Sequence, residues 1–203
     1  MEQDVWPRIA VMGAGAVGCY FGGMLARAGA PVTLIGRPKH VEAIRRNGLF
    51  IESLQFRQQI PIAATNDVSA ARDADIVLFC VKSYDTEEAA QTLAPHLGSG
   101  ALVLSLQNGV DNAERIQAAA KIEAVPAVVY VAVASAEPGR IRHSGRGDLI
   151  IHVTVETPAK LDEEQEALLK QLAKLRGEEA PPGRFAPGQH GFFSRLRDAF
   201  NGR

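Results

Sequence analysis

The stretch that most constrains this fold is Arg8 to Gly18, R-I-A-V-M-G-A-G-A-V-G. A short apolar run, Ile9 to Met12, flows into Gly13-x-Gly15-x-x-Gly18, and an apolar, helix-compatible segment from Ala16 to Ala28 follows. Strand, glycine turn and helix are the context in which such a motif signals dinucleotide binding. Gly13 permits the tight turn off the strand. Gly15 leaves no side chain in the path of a pyrophosphate, and Gly18 lets the helix lie close against the strand. The first helical N–H groups then point at the phosphates, where the helix N-terminus carries about half a positive charge. Gly13, Ala14, Gly15, Ala16, Val17 and Gly18 are therefore the candidate cofactor cradle. Glycine-rich turns also arise for packing alone.

The second strand is expected over Pro31 to Ile35. In NAD-binding versions of this unit an acidic residue near its end accepts hydrogen bonds from the ribose. Here the chain reads Gly36-Arg37-Pro38-Lys39-His40, with no carboxylate. A guanidinium pairs with a 2′-phosphate that a carboxylate would repel, which favours NADPH/NADP+ over NAD. The alternative is that Arg37 and Lys39 are solvated loop charges.

A short helix is predicted from His40 to Asn47, stopped by Gly48. Leu49–Ile51 and Arg57–Ala63 are expected to form an inserted β-hairpin. Asp75 to Val81 and Leu102 to Leu106 read as strands buried on both faces of a parallel sheet. The first runs out into Lys82-Ser83-Tyr84-Asp85, the second into Gln107-Asn108-Gly109. Ligands of open α/β sheets bind beyond the carboxyl ends of the strands, so Lys82 and Asn108 are candidates for the cofactor and catalytic site. Otherwise Lys82 is a solvated loop lysine and Asn-Gly a turn. Helices are expected at Thr86–Leu93 and Val110–Ala119. Val125 to Ala136 is a long apolar strand. Arg140–His143 and Asp148–Val155 read as two further strands joined by Ser144-Gly145-Arg146-Gly147, with antiparallel pairing. His143 is expected to be structural. Leu161, Leu168, Leu172 and Leu175 mark an amphipathic helix. Beyond it the chain is Gly/Pro/Arg-rich and expected to be disordered.

Composition narrows the rest. The 203 residues are 46% hydrophobic and 22% charged, with net charge −1. That balance gives no hint of a nucleic-acid or anionic-membrane partner. Two cysteines outside any CxxC are compatible with a reducing cytoplasm. The N-terminus is too polar for a signal peptide, no apolar run reaches a membrane span, and no metal site is expected. The fold class is α/β: a Rossmann-type, doubly wound, mostly parallel sheet with added antiparallel strands. The expected division is 1–157 as the nucleotide-binding domain, 158–176 as a connector or packing helix, and 177–203 as a tail.

The ordered set Gly13-Ala14-Gly15-Ala16-Val17-Gly18, Arg37, V-K-S-Y-D around Lys82, S-L-Q-N-G-V around Asn108 and P-G-R-I-R-H-S-G from Pro138 resembles the ketopantoate reductase family over Arg8 to Leu175. The resemblance implies NADPH-dependent reduction of ketopantoate (2-dehydropantoate), a small 2-keto acid, to pantoate in pantothenate and coenzyme A synthesis. It implies that Gly13–Gly18 hold the pyrophosphate and Arg37 the 2′-phosphate. Lys82 would lie by the active site, Asn108 at the nicotinamide end and the substrate. Ala134 and Ser135 fall where the family backs the cofactor. The family also has a second, all-helical domain that carries the general-acid lysine, and neither Lys170 nor Lys174 stands in its place. Pro126-Ala127 and His152 occupy positions where glycines are common. A non-catalytic NADP(H)-binding module is the alternative. The patternless tail is what a frameshift would give, and an unpartnered Leu161–Leu175 stripe would favour a homo-oligomer.

Overall fold

A computed structural model describes residues 6–151 together with 167, 168 and 171. Among them, nine strands form a single sheet. They are β1 (Ile9–Met12), β2 (Val32–Ile35), β3 (Leu49–Glu52), β4 (Arg57–Ile60), β5 (Ala63–Thr65), β6 (Ile76–Phe79), β7 (Leu102–Ser105), β8 (Ala124–Glu137) and β9 (Arg140–Ile151). The helices are α1 (Ala16–Arg27), α2 (Pro38–Asn47), α3 (Thr86–Leu93) and α4 (Asn112–Ala120).

The spatial order is β4-β3-β9-β8-β7-β6-β1-β2-β5. From β5 to the start of β8 every pairing is parallel. β8 then runs on and pairs antiparallel with β9, while β3 joins β9 in parallel and β4 closes the edge antiparallel. This is the expected Rossmann-type α/β sheet with antiparallel additions.

Alternation along β1 divides the core, since successive side chains leave a strand on opposite faces. Ile9 and Val11 pack with Leu34, Leu78 and α1. Ala10 and Met12 pack on the other face with Phe79, Leu93 and Ile116. The sheet also curls around α1. A Cβ on Gly22 would come within 2.8 Å of Leu34, and one on Gly23 within 2.7 Å of Ile51 and 2.8 Å of Leu49. Strands from both halves thus press on one helix, which explains two glycines that lower helix propensity by about 1 kcal/mol each.

Two expectations need correction. Arg57–Ala63 is not one strand: Pro61 ends β4, and Ala63–Thr65 pairs with β2 at the opposite edge of the sheet. Nor are Arg140–His143 and Asp148–Val155 separate strands. β9 continues through Ser144-Gly145-Arg146-Gly147, and the register shift between Val131 and Val133 absorbs the extra residues as a bulge. The tight turn lies at Pro138-Gly139 instead, with Gly139 at φ +74°. Within Leu161–Leu175 only 167, 168 and 171 are described; they are helical and exposed. The rest of that helix, residues 152–155 and the tail lie outside the described residues.

Candidate functional site

From β1 the chain goes to β2 on one side and later returns to β6 on the other. Their carboxyl ends therefore flank the switch point where open α/β sheets bind ligands. The glycine turn sits there. Gly13 has φ +111°, a backbone region that favours glycine, and a Cβ on it would lie 2.8 Å from the backbone of Cys80 and Val81. A Cβ on Gly18 would run into the Gly13 carbonyl and stand 2.9 Å from Val11. Both glycines are thus required by the packing of β1, α1 and β6.

Gly15 differs. It is the N-cap of α1 with φ −85°, and a Cβ there would meet nothing within 4 Å. The protein itself has no steric need for glycine at this position. No side chain caps the start of α1, and its first turn has no acidic residue. The Gly13 and Ala14 amides already donate to the Ile35 carbonyl at 2.9 and 3.1 Å. The first-turn amides of Ala16, Val17 and Gly18 are the groups left for an anion. The residues present therefore fit a dinucleotide pyrophosphate.

Arg37 is separated from the end of β2 by one residue and is the exposed N-cap of α2. Its neighbour Gly36 is pressed against Ala14, where a Cβ would approach the Ala14 Cβ to 2.5 Å. The contact brings the Arg37 segment beside the glycine turn. Cys19 donates weakly to the Ala14 carbonyl at 3.4 Å, and burial pushes its thiol up to about 12.

On the other side of β1, β6 and β7 pair with Phe79 opposite Ser105, and Lys82 and Asn108 each lie three residues beyond this last pair. Both are exposed. Beneath them lies a polar cluster that sequence reasoning missed. Gln107 Nε2 donates to the Val81 carbonyl (3.1 Å) and to Thr86 Oγ1 (2.7 Å). Thr86 Oγ1 stands 3.0 Å from the Ser83 carbonyl and 3.2 Å from Asn112 Oδ1. Asn112 Nδ2 donates to the Asn108 carbonyl at 2.8 Å, and Ser83 Oγ donates to the same oxygen at 2.9 Å. Arg115 forks onto Glu87 at 2.7 and 2.8 Å and donates to the Ser83 carbonyl at 2.7 Å. The hydrogen bond from Arg115 holds the Glu87 carboxyl below its ordinary range. The available signal was the matched polar runs K-S-Y-D-T and Q-N-G-V-D-N at the ends of adjacent strands.

Asn108, Lys82, the glycine turn and Arg37 thus follow one another along the carboxyl edge of β7, β6, β1 and β2. Ser135 does not join them in this row. It is exposed on the far half of β8, paired with Ile141. His143 is buried and stacked on Tyr20 with ring centroids 4.5 Å apart. Among the described residues no cluster of metal-ligating side chains occurs.

Strand order and glycine turn together define a Rossmann-type α/β domain. A sequence model of the family described as ketopantoate reductase PanE/ApbA matches residues 9–154, and the chain belongs to that family of NAD(P)-dependent reductases. It is 38% identical to a 2-dehydropantoate 2-reductase of Pyrococcus horikoshii, over 71% of this chain and 46% of that protein. The crystal structure of a PanE/ApbA family ketopantoate reductase from Ralstonia eutropha JMP134 superposes with a TM-score of 0.70 at 48% identity, covering 86% of this chain and 55% of that one.

The C-terminal part matches something else. Residues 164–202 fit a model of the chaperone protein DnaJ C-terminal region. Over 63 residues, 31% of this chain and 17% of the relative, the sequence is 71% identical to Chaperone protein DnaJ 2 of Streptomyces coelicolor. The chain thus spans about half the length of the reductases and under a fifth of the chaperone. The reductase family model ends at 154, while the superposition on the crystal structure extends over 86% of this chain. One expectation changes: the tail, expected to carry no pattern, matches the DnaJ C-terminal region.

Proposed function

We propose that residues 1–157 form an NADP(H)-binding domain that serves the reduction of 2-dehydropantoate to pantoate in pantothenate and coenzyme A synthesis. The observation that supports this most is Gly15. It leaves open space under an uncapped helix N-terminus, in line with Arg37 on one side and Lys82 and Asn108 on the other. Backbone amides of Ala16, Val17 and Gly18 receive the pyrophosphate. Gly13 and Ala14 shape the turn, and Arg37 pairs with the 2′-phosphate, giving preference for NADPH. Ser135 is retained as a cofactor residue on the family resemblance alone.

Reduced nicotinamide, when bound, supplies the hydride. Hydride transfer to a ketone leaves an alkoxide that needs a proton or a positive field. Lys82 supplies the field and Asn108 orients the reacting groups by hydrogen bonds. Such groups act strongly only where water is excluded. The reaction is placed in the cytoplasm. Self-association is assigned to the Leu161–Leu175 stripe, of which Leu168 is 60% exposed.

The decisive experiment follows NADPH fluorescence on titration with the full chain, then loss of NADPH absorbance on adding 2-dehydropantoate. Binding and turnover are expected, and absence of binding would refute the proposal. A second reading is favoured by the composite matches: a non-catalytic NADP(H) module joined to a DnaJ-like C-terminal segment. Binding without oxidation of NADPH would select it.

A further inference from the structure

The two turns that carry Lys82 and Asn108 are loops, and loops between strands ordinarily move more than the strands they leave. Here almost every main-chain carbonyl around the two side chains is held. The Val81 carbonyl accepts from Gln107, the Lys82 carbonyl from the Asp85 amide at 2.8 Å, and the Ser83 carbonyl from Arg115. The Asn108 carbonyl accepts from both Ser83 and Asn112. Ser83 ties the first turn to the second directly. Thr86, buried at the start of α3, and Asn112, buried at the start of α4, meet between them. Arg115 fastens the assembly from outside through its fork on Glu87. The Lys82 and Asn108 side chains themselves carry no hydrogen bond to the rest of the described protein, unlike the backbone beneath them.

An arrangement that fixes the backbone of two exposed polar residues and leaves their side chains available is the one expected of a site that must present them at set positions. We infer that Arg115, with Ser83 as its bridge, is a positioning residue: it holds the Lys82 and Asn108 turns in mutual register for the cofactor's nicotinamide end. The inference rests on the proposal that this edge binds NADP(H).

Its test is a thermodynamic cycle on the full chain, read by NADPH fluorescence titration. Arg115→Met in the otherwise unchanged protein is expected to weaken NADPH binding about three- to tenfold, as for the loss of an ordinary hydrogen bond. In a Lys82→Ala background the same change is expected to have little further effect, because coupled residues are not additive. Arg115→Lys, which can still donate to the Ser83 carbonyl, is expected to restore part of the loss. If Arg115→Met does not fold, Ser83→Ala removes only the bridge to Asn108 and replaces it in the cycle. Equal weakening in both backgrounds, or unchanged affinity with only a lowered melting temperature, overturns the positioning role and leaves the cofactor proposal standing. Failure of the unsubstituted chain to bind NADPH overturns both.

Discussion

The glycines of the turn look alike in sequence and differ in the physics that requires them. Gly18 is demanded by protein atoms and Gly15 by none. Gly18→Ala is therefore expected to lower stability by about 1–3 kcal/mol, the usual cost of overpacking, seen as a lower denaturation midpoint. Gly15→Ala should melt as the parent does yet bind NADPH about tenfold or more weakly, a difference of at least about 1.4 kcal/mol. Equal stability loss in the two variants would contradict this division. Arg37 offers a complementary measurement. It is exposed, so Arg37→Ala should leave the melting curve unchanged while reducing the preference for NADPH over NADH about tenfold, in keeping with a charged hydrogen bond. An unaltered ratio of the two dissociation constants would return Arg37 to an ordinary surface charge. The glycine turn and the position of Arg37 after β2 were legible in the sequence because both are local patterns. The Thr86, Asn112 and Arg115 cluster was not, because its members come from different helices and meet only when α3 packs on α4.

At the scale of elements, α1 shows what local propensity leaves undecided. Gly22 and Gly23 argue against a helix taken alone, yet the helix forms because β1–β2 and β3 close on it from two sides. The long apolar β8 is half exposed: Ala127 is buried, whereas Val128 and Tyr130 face outward at 48% and 58%. Its apolar residues occupy both faces, so sequence periodicity could not separate a buried parallel strand from one arm of an antiparallel pair. The tie between α3 and α4 gives a pH prediction. Glu87 is held below its ordinary range by Arg115, so its contribution is present above the unfolded glutamate value, about 4.3, and is lost as pH falls through the folded one. Glu87→Gln should therefore melt lower than the parent at neutral pH and converge with it in acid. Parallel melting-temperature curves across that window would refute the assignment.

For the whole molecule, the sheet binds together segments distant in sequence. β3 and β4 follow β2 and α2 in the chain but join the opposite edge through β9. Any unit that retains the nucleotide-binding fold must therefore include β9. The reductase family model ends at 154 and the DnaJ model begins at 164, but the 63 residues matched to the chaperone reach back to about 141 and so overlap β9. A fragment of residues 1–157 is accordingly expected to fold cooperatively and bind NADPH within about threefold of the full chain, a difference of under 1 kcal/mol. A fragment that remains unfolded would show that the C-terminal segment is part of the domain. What the sequence by itself determined was the glycine turn between β1 and α1, the parallel strands and most helices, since each follows from residues close in the chain. The tertiary structure decided which edge each short strand joins, whether β9 is one strand or two, and which groups hold Lys82 and Asn108. Those outcomes depend on hydrogen bonds and packing between segments that no local pattern relates.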